Sequence, residues 1–195
     1  ILGCGYGMGA ERFRNQLRNF GTDIELAETQ RIIDTYRTKY SKIKQLWKNG
    51  QHCLKSMLLG REATFGVVPD AVYLGEAAFV LPNNVLLEYP KLKQEHGEFS
   101  YRARRMDVRI YGGKVVENIC QAVARCIIAC QMGWISEHYK VALTVHDSLV
   151  CVVKDEEVEE ARQFIEECMR EEPEWAEGLP LDCESGIGKS YGECG

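Results

Sequence analysis

Two short apolar segments near residue 150 are separated by a few polar residues. The segments are Val141–Val145 and Leu149–Val153, with His146 and Asp147 between them. Their β-branched residues favour strands, and the short connection favours a hairpin. A hairpin tip holds a carboxylate in water, where it can bind a hard divalent cation. Asp is also common in turns, so the hairpin alone predicts a turn before it predicts a metal site.

The start of the chain is rich in glycine. Alternate residues from Gly3 to Gly9 are glycine, with Leu2 and Tyr6 as the larger neighbours. A glycine-rich face with one aromatic can lie close to a nucleotide, although a flexible loop is the simpler reading. The segment Gly5-x-Gly7-x-x-Ala10 also fits the looser dinucleotide-binding fingerprint. That fold requires a strand after the helix, whereas residues 23–59 predict another helix.

Helical periodicity dominates the first 60 residues. A short basic helix is expected over residues 10–20 and ends at Gly21. Thr22 or Asp23 then caps a long helix whose apolar stripe continues towards Gly60.

Residues 61–110 change to short apolar runs, which predict strands. The expected strands lie at residues 72–74, 78–81 and 85–89, with a turn at 82–84 and a further strand over 101–110. A helix follows over residues 114–132, and another begins near Asp155 and ends before Pro173. A final strand then precedes Gly186-Ile187-Gly188-Lys189-Ser190, which imitates a P-loop but lacks the first glycine and the following helix.

Composition excludes several classes of protein. With 195 residues and 45% hydrophobic residues, the chain can form one domain or two small ones. We expect no signal peptide and no apolar run long enough to span a membrane, hence a soluble protein, cut from something longer. The nine cysteines are odd in number and include no C-x-x-C pair, which favours reduced, buried thiols in a cytoplasm over disulfides or a zinc site.

Charge is distributed unevenly along the chain. Residues 1–60 hold ten Lys and Arg against five Asp and Glu, whereas residues 154–195 hold four against fourteen. A basic first part and an acidic end fit a protein that meets nucleic acid on one side. Two solvated helices of opposite sign would give the same counts.

Three segments occur in an order that resembles a known family. They are Tyr6-Gly7 after Leu2, Tyr111-Gly112-Gly113-Lys114 leading to Gln121, and Val145-His146-Asp147 between apolar strands. Together they resemble the later polymerase motifs of family A (DNA polymerase I-like) enzymes in their bacteriophage form. The resemblance implies an α+β fold with three parts. These are fingers helices over 1–60, a strand-rich return connection over 61–110, and a palm portion over 111–195 with an antiparallel β-hairpin and packing helices.

The resemblance also implies roles for single residues. Asp147 and His146 are the catalytic residues. Asp147 is the metal ligand for two Mg²⁺ ions, and His146 beside it contacts the DNA backbone. Ser148 follows, where the family usually has Glu. Leu2 faces the sugar of the incoming nucleotide, and Tyr6 and Gly7 complete the nucleotide site.

A helix is expected to carry the DNA contacts. The resemblance places Gln121 in the minor groove, where acceptors occupy similar positions on every base pair. Asn118 and Arg125 share its polar face and are further candidates, although a solvated face would look the same.

The function implied is template-directed DNA synthesis, with primer–template DNA and dNTPs as partners. The remaining partner is the missing N-terminal remainder of the polymerase. It would hold the Lys and Arg that grip the triphosphate, just before Ile1, and an earlier Asp-x-x-Ser strand. The 195-residue chain alone is therefore expected to be inactive. Two alternatives stay open, a non-catalytic nucleic-acid-binding module and a metal-dependent hydrolase with more carboxylates converging on Asp147.

Overall fold

The computed structural model describes residues 2–65, 70–73 and 77–194, and it describes side chains in 4–65 and 77–194. The chain divides into two compact units, residues 1–121 and 122–195. Helices and small antiparallel sheets occur together, so the fold is α+β, as predicted. The division into fingers, connection and palm stays a prediction.

Four helices begin the first unit: α1 (Leu2–Gly5), α2 (Ala10–Asn19), α3 (Leu26–Lys39) and α4 (Ser41–Leu58). The predicted long helix is wrong, because the backbone leaves helical geometry at Tyr40, with φ −107° and ψ 51°. The apolar stripe continues across this break, so periodicity could not reveal it. The predicted cap is also wrong: Glu25 precedes α3, and the Asp23 carboxylate instead accepts a hydrogen bond from Arg18 at 2.9 Å.

Two antiparallel sheets follow. The first has the order β1 (Ala63–Thr64), β2 (Asp70–Tyr73), β3 (Ala77–Val80) and β4 (Leu86–Tyr89), and α4 packs on it. The turn between β3 and β4 is confirmed, while Leu74, in the first predicted strand, lies outside the described residues. The second sheet contains β5 (Lys93–Glu95), β6 (Glu98–Ala103) and β7 (Met106–Ile110). The single strand expected over 101–110 is therefore wrong, because the chain reverses at Arg104-Arg105.

Aromatic side chains join the two sheets. Ring centroids lie 5.9 Å apart for Phe65 and Phe79, 6.2 Å for Phe79 and Tyr89, and 5.1 Å for Tyr89 and Tyr101, all nearly edge to face. Such contacts add to the free energy gained by burying the rings. Burial raises the pKa of Tyr89 to about 12.

Helix α5 (Gly112–Ser136) is longer than predicted at both ends. By length and composition alone, α5 is long and apolar enough to cross a membrane, contrary to the expectation from sequence. Core helices have the same composition, and Val115, Val116 and Ile119 of α5 are buried.

The second unit contains the hairpin strands β8 (Val141–Val145) and β9 (Ser148–Cys151) and the helix α6 (Val158–Arg170). The predicted final strand is wrong, because residues 171–194 form loops with single 3₁₀ turns at Glu174–Ala176 and Tyr191–Glu193. No α-helix follows Ser190 in residues 191–194, which agrees with rejecting the P-loop.

No disulfide joins the nine cysteines, and Cys4, Cys53, Cys126 and Cys168 are buried. Burial raises the pKa of the Cys53 thiol to about 11, which keeps it protonated at neutral pH.

Candidate nucleotide and nucleic-acid sites

The glycine-rich start of the chain meets the beginning of α5. The Tyr111 hydroxyl donates to the carbonyl oxygen of Tyr6 at 3.5 Å, and the Trp47 indole N–H donates to the carbonyl of Gly5 at 2.8 Å. Gly7 has φ +86°, a conformation that favours glycine. These contacts fix the path of the backbone at the predicted nucleotide site.

Two further glycines allow this close packing. A β-carbon on Gly112 would lie 1.8 Å from the carbonyl oxygen of Trp47, and one on Gly113 would lie 2.5 Å from that of Tyr6. The Gly112 N–H donates to the Gln51 side chain at 2.8 Å. Three distant segments therefore meet backbone to backbone, and we call this meeting point the glycine junction.

A cleft of about 350 Å³ opens beside the glycine junction. It is lined by Gly7, Arg37, Lys44, Trp47, Lys48, Gln51, Tyr111, Gly112 and Gly113. The lining contains three cations, two aromatic rings and no carboxylate. The Arg37 guanidinium lies 5.8 Å from the centre of the Trp47 ring and donates to the Met8 carbonyl at 3.3 Å, so the ring and this charge are held together.

This basic cleft is not among the sites predicted from the sequence. A signal was present, because Lys44, Trp47, Lys48 and Gln51 recur at helical spacing on one face of α4. From sequence, the same helix predicts only an apolar stripe, because apolar residues recur at the same spacing.

Two of the three predicted nucleotide-site residues, Tyr6 and Gly7, lie at the glycine junction. Tyr6 is half-buried, and its pKa is raised by burial and then by Cys120 and Glu117 of α5. Leu2 lies in α1, but its side chain falls outside the described residues.

The predicted DNA-contacting residues follow one another along α5. The Asn118 amide donates to the Tyr89 hydroxyl at 3.3 Å, so it supports the core of the first unit. Gln121 and Arg125 are exposed, four residues apart, where a groove or a backbone could reach them.

The hairpin has the predicted two-residue tip. Val145 pairs with Ser148, which leaves His146 and Asp147 as the connection, both exposed. His146 has φ +54°, a strained conformation for a residue with a β-carbon. An irregularity between Val141 and Leu143 shifts the register of the strands.

Asp147 belongs to no cluster of three or more metal-ligating side chains (His, Cys, Asp or Glu) in the described part of the chain. One exposed carboxylate fits Mg²⁺ as a single ligand, because this ion often keeps water and uses substrate phosphates. The convergence of carboxylates that the hydrolase alternative requires is not found in the described part of the chain.

Comparison with known proteins gives one informative relative. The chain is 29% identical over 210 residues to a protein named DNA polymerase from Bacillus phage SP02. The match covers 97% of this chain, and the chain spans 31% of the length of that relative. No protein-family model matches the chain, and no solved structure matches it significantly.

Proposed function

We propose that this chain forms part of a bacteriophage DNA polymerase of family A and contributes its fingers and part of its palm. The reaction is template-directed transfer of a nucleotide from a dNTP to a primer 3′-hydroxyl. The similarity to a phage DNA polymerase across 97% of the chain carries this proposal. The order of the Tyr6-Gly7, Gln121 and His146-Asp147 segments supports it.

Asp147 would supply one carboxylate to a site completed by other parts of the polymerase and by nucleotide phosphates. Two Mg²⁺ ions bound there would neutralise charge that develops during phosphoryl transfer. The exposed tip suits this role, since the carboxylate can approach a ligand without first being removed from a buried ion pair. His146 beside it would contact the nucleic-acid backbone.

The basic cleft would hold the single-stranded template. Trp47 and Tyr111 offer ring faces for bases, while Arg37, Lys44 and Lys48 offer charge for phosphates. A groove that combines cations with aromatic rings is typical of single-strand binding without sequence preference. The cleft lies beside Tyr6 and Gly7, so a template base there would be close to the proposed nucleotide site.

A non-catalytic nucleic-acid-binding module is the second candidate. The basic cleft and the isolation of Asp147 favour it, because both are compatible with binding alone. The two candidates differ in whether the charge of Asp147 is required for nucleotide addition.

Primer extension by the polymerase that contains this chain distinguishes the catalytic role from a non-catalytic binding module. We expect Asp147→Asn to lower the rate by roughly 10³-fold or more, since the variant keeps the turn and removes the charge from a largely electrostatic site. Ser148→Ala, at the next residue, is the matched control and should extend nearly normally. Near-normal extension by Asp147→Asn would exclude the catalytic role. We expect the 195-residue chain alone to give no extension.

Leu2 allows a separate test of the nucleotide site. An aromatic hydroxyl at this position could replace the missing sugar 3′-hydroxyl of a dideoxynucleotide, and Leu cannot. We therefore expect strong discrimination against dideoxynucleotides, which Leu2→Tyr should relax in the same polymerase. The measurement is the ratio of terminator to normal nucleotide incorporation, and an unchanged ratio would contradict the assignment.

A further inference from the structure

The sheet β5–β6–β7 has one apolar face and one charged face. Phe99 and Ile110 pair across β6 and β7 and are buried, and Tyr101 is half-buried two residues further on. Alternation then turns Ser100 and Arg102 to the opposite, outer face. The outer face and its adjoining turns carry six cations: Lys91, Lys93, Arg102, Arg104, Arg105 and Arg109.

Three carboxylates only partly balance these cations. Asp107 is shared by Lys93 at 3.1 Å and Arg102 at 3.0 Å, and Glu98 pairs with Arg109 at 2.6 Å. With Glu95, residues 90–110 hold six Lys and Arg against three Asp and Glu. The ion pairs hold the long side chains on one face while a net positive charge remains.

The turn between β6 and β7 presents two further charges. Arg104 and Arg105 form a two-residue connection, because Ala103 pairs with Met106. Both are exposed, and Arg104 has φ +54°, a conformation that Asn or Gly adopts more easily. Neither guanidinium has a carboxylate partner among the residues that the structure describes.

We propose that this outer face and the Arg104-Arg105 turn bind the phosphate backbone of double-stranded nucleic acid. That the polyanion is nucleic acid rests on the proposed function. The choice of a duplex rests on the side chains, because the aromatic rings of this sheet lie on its inner face. Single-strand sites typically use exposed rings, as the basic cleft does. Cations on neighbouring strands, about 4.8 Å apart, and at alternate residues, about 6.7 Å apart, form an array suited to backbone contacts.

Binding of the 195-residue chain to a fluorescent 20-base-pair duplex, followed by anisotropy across a salt series, tests this surface. The variant is Arg104→Asn with Arg105→Gln, which removes both charges and keeps a residue that tolerates the turn. We expect about a tenfold weaker Kd near 0.1 M salt. The slope of log K against log salt should fall by about 1.8, for two lost phosphate contacts.

Two further variants separate charge at this surface from general effects. Arg61→Ala with Lys140→Ala removes the same charge from exposed positions elsewhere and should bind nearly as the wild type does. Arg104→Lys with Arg105→Lys keeps the charge and should retain most of the affinity. In the Asn/Gln variant, the affinity for a single strand of the same length should fall less than the affinity for the duplex.

The proposal is overturned if the Asn/Gln variant binds duplex as the Arg61/Lys140 variant does. It is also overturned if the Lys variant loses as much affinity for duplex as the Asn/Gln variant does. A third contrary result would be an equal loss of affinity for single strand and for duplex in the Asn/Gln variant. The assay contains no nucleotide and no metal, so a chain without polymerase activity still gives an answer. Failure of the proposed function would instead appear in primer extension.

Discussion

The glycine junction and the hairpin tip carry the two halves of the proposed chemistry, and they are built in opposite ways. At the junction, Gly112 and Gly113 bring three segments into backbone contact, and Trp47 and Tyr111 are fixed by hydrogen bonds. At the tip, His146 and Asp147 are exposed on a two-residue turn. One site is shaped in advance by packing, whereas the other offers a functional group that requires partners.

This difference shows where each site should be vulnerable. Preorganised sites lose function when packing is disturbed, because the shape of the site is part of its binding energy. An exposed carboxylate tolerates changes to its neighbours and fails only when its own charge is removed. Substitutions at the junction should therefore alter stability and binding together, whereas removal of the Asp147 charge should alter catalysis and leave stability nearly unchanged.

The largest effect on stability should come from Gly112→Ala. The added β-carbon would lie 1.8 Å from the Trp47 carbonyl oxygen and 2.9 Å from the Gln51 nitrogen, both backbone atoms that cannot move independently. We expect a loss of about 3 kcal/mol in the free energy of unfolding, measured by urea denaturation.

Gly133→Ala is the matched control within α5, since nothing apart from the adjacent backbone of its own helix lies within 4 Å of its β-carbon position. It should raise the free energy of unfolding by up to about 1 kcal/mol, because alanine is the better helix former. Equal effects of the two substitutions would mean that the junction is loosely packed.

A smaller effect, on nucleic-acid binding, is expected when two of the positive charges are removed from the basic cleft. Lys44→Ala with Lys48→Ala should weaken binding of a single-stranded oligonucleotide about tenfold at low salt and reduce the salt slope by about 1.4. Lys42→Ala with Lys55→Ala changes the same net charge on the exposed surface of the same helix, outside the cleft lining. An equal loss in the two double variants, followed by fluorescence anisotropy, would show that the helix binds by general charge and not through the cleft.

The smallest effect should be a pH dependence in the second unit. The Glu166 carboxylate accepts hydrogen bonds from Ser185 and from Arg162 and Arg170, each Arg at 3.0 Å, and these hold its pKa at about 2. Because the folded-state pKa lies below the unfolded value near 4.5, the stabilisation is complete above pH 4.5 and is lost as pH falls towards 2.

Glu166→Gln should therefore flatten the dependence of the urea midpoint on pH between 5 and about 3. The exposed Glu172→Gln provides the comparison and should leave the dependence as it is in the wild type. If both variants gave the wild-type curve, the Glu166 contacts would contribute little to the stability of this unit.

The sequence predicted the elements whose signals are local. The hairpin around His146-Asp147, the end of α2 just before Gly21 and the turn at residues 82–84 all follow from short patterns of turn and strand residues. The α+β class followed from the same patterns. The tip of the hairpin could therefore be located to the residue from the order of amino acids alone.

The features that the sequence predicted wrongly or not at all have a different physical origin. The break at Tyr40 leaves the apolar stripe continuous, so the pattern does not reveal it. The segment before Gly186 resembles a strand in its sequence, although Glu166 and Arg170 hold it as a loop. The basic cleft depends on Gly7, α4 and the start of α5 meeting in space. Contacts between residues so far apart in sequence leave no local pattern, so a single sequence could not reveal them.

The glycine junction also determines when, during synthesis, the start of the protein can reach its final structure. Its contact between Tyr6 and Tyr111 joins residues 105 positions apart, so the first segment cannot reach its final place until the last has been made. At roughly 5–20 residues per second, a ribosome needs about 5–20 s to cover that distance. During this interval the glycine-rich start and the Trp47 face of α4 lack their partner from α5. In the cell, this interval is when chaperones or premature contacts with other chains could most readily decide whether the cleft forms.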